Sequence, residues 1–548
     1  MKSKILIVIL LAISSSVFAQ NKKDSSFSWQ NLPLISRPTF KHDTLSIEKF
    51  GAKSDGVFLN TQIINSTIKN CSLAGGGVVL IPEGIWLTGP IYLQSNVNLH
   101  LSRGANLIFS TDKSLYKLVE GDYEGKPAAR NESPINGHDL VNVAITGHGV
   151  IDGNGDVWRA VGQSQLTVSQ WASKIASGGV LSDDKKTWYP SQQFKDAHQQ
   201  GKSILLQSGK PLEIFQEIKD YLRPNLLVLK NCKTVLLDGI TFQNSPAWCV
   251  HPLLCQDLTV QNVTIKNPHY AQNGDGIDIE SCTRFIVENC VLDVGDDAIC
   301  IKSGKDEEGR KRGVASAEGI IRGNLVYSGH GGVVIGSEMS GGAKDIFIEN
   351  CTFIGTDKGL RFKSTRGRGG VVERIYARNI KMKDIHQEAV FFDMFYFVKF
   401  ATDGKRDDAP KVSEGTPVFK NMLFENITCQ GAKVAVFIRG LSEMHVQDIT
   451  FRNSTLVSDR GVELTDASKI RFDNVAFYTR DHSPLVTING GKSIRLDNLK
   501  FSAGVPVLLS VIGDTNKDIV VTNTDLKRAN KNLELKNGAS ENVVILTK

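Results

Sequence analysis

From about Asn231 to its C-terminus the chain keeps returning to one phrase: an alternating apolar strand, an Asn or a substitute for it, then a second alternating strand. The marker residues are Asp238, Asn262, Asn289, Asn324, Asn350, Asn379, Asn426, Asn453, Asn474, Asn498 and Asn523, mostly 21 to 29 residues apart, with two longer intervals of 35 and 47. Such a period is too short for a strand plus a helical crossover, and strand-bearing repeats of this length stack as coils. The expected fold class is therefore all-β, a right-handed parallel β-helix in which each coil adds one rung to continuous parallel sheets. Asn suits the bend because it tolerates left-handed backbone and can bond its amide to the Asn of the next rung. Cys232, Cys290 and Cys351 follow directly on such positions and are expected to be small inward fillers.

The rest of the chain is organised around these coils. Lys2 and Lys4 precede an apolar run from Ile5 to about Leu11, with small Ala19 at a cleavage-like position, so 1–19 reads as a signal peptide and 20–43 as a linker. Residues 44–548 form one β-helix domain, with a helix expected near Gln62–Cys71. Residues 157–222 break the strand pattern with helical spacing and read as an inserted, partly helical segment that could close a groove end and favour cleavage from a chain terminus. The longer intervals fall near Lys305–Arg312 and Phe391–Phe419 and mark loops on one face. No second apolar run of ~18 residues predicts a membrane span. The leader thus implies export, to the periplasm or the extracellular space. A net charge of +6 over 548 residues, with no long basic block, gives no footing for nucleic acid. Nine Cys without a CxxC pair support neither zinc nor a dense disulfide framework. The sequence carries no signal for an oligomeric state.

A second alignment superposes the strands after the bends: DGIDIES, DAICIKS, GGVVIGS, GLRFKST. Ile277 and Ile279, Ile299 and Ile301, Val333 and Ile335, and Leu360 and Phe362 become inward columns. The register then stacks Asp275 over Asp297, puts Asp296 in a column with Gly274 and His330, and lays Arg361 over Cys300 and Val334, with Lys363 two residues on along the same face. Four rungs at ~4.8 Å span roughly 15 Å, so three carboxylates, an imidazole and two cations share one strip. Taken singly, these residues are ordinary bend and surface chemistry. Together they suit glycoside hydrolysis, which needs one protonated and one ionised carboxyl. Crowding separates carboxyl proton affinities, and Arg and Lys can clamp an acidic sugar.

The motifs Asn273-Gly274-Asp275, Gly295-Asp296-Asp297, Gly329-His330-Gly331 and Arg361-Phe362-Lys363, in this order, resemble the polygalacturonase family (glycoside hydrolase family 28), bacterial pectin-degrading type. The segments NSPAW, IGSEMSGG and RGRGGVVE add to the likeness, which runs from about Leu45 to the C-terminal region. The resemblance implies a pectin-lyase-like solenoid and an inverting hydrolase with no metal or cofactor, acting on pectic polysaccharide or oligogalacturonides. It implies Asp296 as general acid, Asp275 and Asp297 as holders of the attacking water, and His330 as the residue tuning the acid. Arg361 and Lys363 would bind the galacturonate carboxylate, and Asn273 the substrate. Gly274 stands where the family usually has Thr, and Phe362 where it has Ile; Phe362 is expected to alter packing. One tension is geometric: stacked rungs bring Asp275 and Asp297 closer than the ~6.5–9.5 Å carboxyl separation expected of inverting pairs. A rhamnogalacturonan-specific hydrolase of the same family, a pectate lyase using a cationic base and Ca²⁺, and a non-catalytic carbohydrate-binding β-helix are the alternatives.

Overall fold

The chain winds into three parallel sheets of 16, 14 and 14 strands, each coil feeding one strand to each sheet in turn. The computed structural model describes residues 28–398 and 409–547. The signal peptide expected at 1–19 lies outside the described residues. Two units separate, 1–32 and 33–548; the described part of the first is a turn in which the Asn31 amide donates to the Ser28 carbonyl at 2.8 Å. The second unit holds all three large sheets.

The rungs pair in the register that the apolar columns predict. Ile277 pairs with Ile299, Asp278 with Cys300 and Ile279 with Ile301. Asp297 pairs with Gly331 and Cys300 with Val334, then Val334 with Arg361 and Ile335 with Phe362. One continuous core of buried side chains runs from Ile47 to Val521. Alternation explains it: period-two strands send every second residue inward, and stacking coils joins those residues into columns. The helix Thr61–Leu73 packs Ile64, Ile68 and Cys71 onto the first rungs. All nine cysteines are buried and unpaired, Cys232, Cys290 and Cys351 within the core.

The Asn bends form as expected at most markers. Asn262, Asn289, Asn350, Asn379, Asn426, Asn453, Asn474, Asn498 and Asn523 have φ near +50 to +56°. Amides bond rung to rung, from Asn379 to Asn350 and from Asn426 to Asn379, both at 3.1 Å. Two markers behave differently. Beside Asp238 and Asn324 it is Gly239 and Gly323 that take the left-handed turn. Asn324 is then free to point inward, where it donates to the Val287 carbonyl and accepts from the Cys290 amide.

The 157–222 segment is partly helical as expected, with helices Val168–Ala176 and Gln192–Gln199, a 3₁₀ stretch over Leu212–Tyr221 and a small three-stranded sheet. Its Phe215, Ile218 and Leu222 pack with Ala129 and Leu118. Those two residues belong to an antiparallel hairpin, Leu118–Tyr123 and Lys126–Asn131, which the repeat does not announce. The charged run after Lys305 is a short helix, Asp306–Arg312, with acids first and bases last, the order a helix dipole favours.

Candidate active site

The seven residues singled out in the sequence converge on the outer face of one 14-stranded sheet and the bends that enter it. Asp275 precedes the strand Ile277–Glu280, Asp296 and Asp297 open the strand Asp297–Lys302, His330 precedes Gly331–Ile335, and Arg361 and Lys363 lie on Leu360–Lys363. Asp275, Asp296 and Asp297 each present an oxygen within 4.8 Å of the other two. A cation of suitable size could bridge three such oxygens, but it would compete with the partners Asp297 already has.

Asp297 is the anchored member. One oxygen accepts from Arg361 Nη1 at 2.9 Å and the other from Lys363 Nζ at 2.7 Å. Burial alone would raise its pKa, but Lys363, Arg361 and Lys302 outweigh that and hold the carboxyl well below the usual range. Lys363 is pushed up in turn, its burial overcome by Asp297. Asp275 is the opposite case. It is buried, one of its oxygens has no hydrogen-bond partner, and burial, then Asp278 and Asp296, raise its pKa well above the ordinary value. Asp296 is the accessible member, its side chain 21% exposed against 4% for Asp275 and 1% for Asp297. Its Oδ1 accepts from the Asp297 amide at 2.9 Å and pairs with His330 Nδ1 at 3.0 Å. That hydrogen bond is the main reason the His330 pKa is raised.

Asn273 sits at the bend with φ +51°, and its Oδ1 accepts from Arg223 Nη2 at 2.8 Å, leaving its Nδ2 side for a ligand. Gly274 has a local reason: a Cβ there would lie 2.7 Å from the Ala271 Cβ and 2.8 Å from its carbonyl oxygen. Phe362 alters packing as expected, stacking on Phe392 at 4.2 Å with the rings 3° from parallel.

Several site residues escaped the sequence reading. Asp278 is fully buried on the outward column, neither of its oxygens has a hydrogen-bond partner, and burial pushes its pKa up to about 7 against the pull of Lys302 and His251. Lys302 Nζ lies 3.5 Å from Asp278, 3.9 Å from Asp275 and 3.1 Å from Glu338, and 4.4 Å from the Trp248 ring centroid. The alternation of DGIDIES and DAICIKS marks Asp278 and Lys302 as outward, and that was the available signal. Tyr396, in the second stretched interval, lies with its ring 4.9 Å from Lys363 Nζ and 5.7 Å from the Arg361 guanidinium. No rung register reaches a loop residue of that kind.

This arrangement provides a partly exposed carboxyl, two more carboxyls behind it in opposite protonation environments, and two cations on the same face. Comparison with known proteins points the same way. The profile of glycosyl hydrolases family 28 matches residues 216–413, the stretch holding all four motifs. The chain is similar to an exo-poly-alpha-D-galacturonosidase of Dickeya chrysanthemi, 28% identical over 79% of this chain and 70% of that protein. It is also similar to an endo-polygalacturonase of Pectobacterium carotovorum, 25% identical over 81% of this chain and 96% of that protein. Among solved structures it resembles the hyperthermoactive exopolygalacturonase of Thermotoga maritima, with a TM-score of 0.64 and 29% identity over 81% of this chain and 93% of that one. Fold, motif order along the coils and sequence likeness agree: the chain is a glycoside hydrolase whose residues 216–413 match glycosyl hydrolases family 28 and whose relatives are polygalacturonases.

Proposed function

We propose that the protein hydrolyses glycosidic bonds at galacturonate residues of pectic polysaccharide or oligogalacturonides, by inversion and from a chain end. The observation that carries the reading is the pairing of one accessible carboxyl, Asp296, with two cations on the same face, Arg361 and Lys363, around a buried carboxyl pair. A proton donor must reach the leaving oxygen, and Asp296 alone of the three is exposed enough to do so. Arg361 and Lys363 present the charge that an acidic sugar needs.

Inversion is supported by the state of Asp297. Both of its oxygens are engaged and it is buried, so it is poorly placed to attack a sugar carbon itself, whereas a water held between Asp275 and Asp297 can do so. In its ionised form Asp275, with the higher proton affinity, is the stronger base for that water. Action from a chain end is supported by the hairpin over Leu118–Tyr123 and Lys126–Asn131. It lies over the outward face of the rungs Ile135–His138, Leu227–Lys230 and Val250–Leu253, on the N-terminal side of Asp275. Ion pairs latch it there: Lys230 to Asp122 at 3.0 Å, Lys305 to Glu124 at 2.8 Å and Lys126 to Asp306 at 2.7 Å. The 157–222 segment backs this hairpin, and Arg223 at its end holds the Asn273 bend. The leader at 1–19 supports export to the periplasm or beyond.

The experiment is time-resolved product sizing on polygalacturonate and on rhamnogalacturonan, with proton NMR of the first product formed. Monomer or a fixed short oligomer from the earliest time, with the anomeric configuration opposite to that of the bond cleaved, is expected. A ladder would reject the end-acting mode, retained configuration would reject inversion, and an unsaturated, chelator-sensitive product would reject hydrolysis.

A further inference from the structure

The hairpin does more than cover the sheet; beneath it lies a cavity of about 60 Å³, bounded by Asn136, Asn225, Lys230, His251 and Arg130. A water needs ~10–15 Å³ of such space, so the cavity admits a carboxylate group and little more. Arg130 is its distinctive wall. The residue is 6% exposed, yet its guanidinium has one hydrogen bond, Nη2 to Asn225 Oδ1 at 3.1 Å, and otherwise rests against the Tyr123 ring at 5.0 Å. Among the described residues no carboxylate lies within ion-pair distance of it; the charged groups acting on it from farther away are the cation Arg223 and the carboxylates Glu124 and Asp122. A buried guanidinium without an anion is costly, and it prefers a planar two-oxygen partner. The acids nearby do not fill that role: Asp122, which lines the cavity, is held by Lys230 and by Arg312 at 3.5 Å, Glu124 is held by Lys305 at 2.8 Å, and Glu120 lines the cavity rim as an exposed residue.

The cavity also connects to the site. Asn136, Val228, His251, Asp278, Cys300, Val334 and Arg361 occupy one outward column. His251 stands one rung from Asp278, ~4.8 Å. From the cavity a directional chain of buried hydrogen bonds runs inward. Arg130 donates to Asn225, the Asn225 amide donates to His251 Nδ1 at 3.1 Å, and His251 Nε2 donates to Glu280 at 2.9 Å.

We propose that this cavity is a binding site for the carboxylate of the terminal uronate residue of the substrate, with Arg130 as its recognition group. The proposal rests on the chain-end reading above. It makes the hairpin a sensor of substrate ends as well as a barrier: a chain is held for cleavage when its last residue carries a free acid.

The test compares trigalacturonate with the same oligomer methyl-esterified at the terminal residue, using wild type, Arg130→Gln and Arg130→Lys, alongside calorimetric titration of galacturonate and galactose. Wild type is expected to lose roughly 10- to 100-fold in kcat/KM on esterification, the worth of a charged hydrogen bond. Arg130→Gln should treat both oligomers alike, while the preference for galacturonate over galactose that Arg361 and Lys363 supply stays in place, and Arg130→Lys should recover part of the discrimination against the ester. Undiminished discrimination by Arg130→Gln would overturn the proposal. Should Arg130→Gln not fold, equal wild-type affinities for galacturonate and galactose would overturn it. A product ladder from wild type defeats the chain-end reading separately, because the monomer titration does not depend on cleavage mode.

Discussion

Replacing Asp278 with Asn should make the protein more stable at neutral pH and leave it unchanged in acid. Asp278 is completely buried, neither of its oxygens has a hydrogen-bond partner, and burial lifts its pKa from the ordinary 3.8 to about 7. A carboxyl whose folded pKa exceeds its unfolded one costs nothing below the unfolded value. The fold loses stability as pH climbs from about 4, and the loss is complete once pH passes the folded value. At 1.36 kcal/mol per pH unit the interval from 3.8 to about 7 amounts to about 4 kcal/mol. Because Asp275 lies beside it and competes for the same proton, the two titrate as a pair and part of this loss belongs to Asp275. The amide of Asn mimics the neutral acid in shape and removes the titration. For a chain of this length the unfolding entropy is about 1 kcal/mol per kelvin, so the full effect is a rise of about 4 °C in melting temperature. Scanning calorimetry of wild type and Asp278→Asn at pH 4, 5.5 and 7.5 reads it. A gap that opens with pH is expected; a gap that is constant, or that closes toward neutral pH, would refute the assignment of a proton to this buried pair.

Three further outcomes are expected at the site. Asp296→Asn should lower kcat by about 10² to 10⁴, the usual worth of a general acid, with an unchanged melting curve; full activity would remove Asp296 from that role. Lys363→Met should cost about 3–5 kcal/mol at neutral pH, because Asp297 keeps Arg361 and loses its other charged partner in the interior. Asp297 has a depressed pKa, so its contribution to stability is present above about pH 4 and disappears on acidification. The penalty in Lys363→Met should shrink as pH falls below that, read by melting from pH 7.5 down to about pH 2. The His330 imidazole should titrate above the ordinary 6.5 by proton NMR and return toward it in Asp296→Asn, since the Asp296 hydrogen bond is the leading cause of its shift. An unaltered His330 titration in that variant would contradict the observed pairing.

What could be read from the sequence was whatever obeys the period of the coils. Ile277, Ile299, Val333 and Leu360 fixed a register without reference to chemistry, and that register alone brought Asp275 beside Asp297 and Arg361 into the same strip. It could not supply residues whose position depends on leaving the coil. Tyr396, Arg223 and Arg130 reach the site or its neighbour from segments with no rung to index them, and the hairpin carrying Arg130 lies just ahead of the segment expected to close the groove. Asp278 and Lys302 form an intermediate case: their outward direction was legible, but their importance was not. An outward residue on an exposed sheet meets water, and only once the hairpin and the bends cover that face does the same position become a buried charge. The perturbed protonation of the clustered carboxyls is therefore set jointly, by the regular stack that gathers them and by the irregular excursions that cover them.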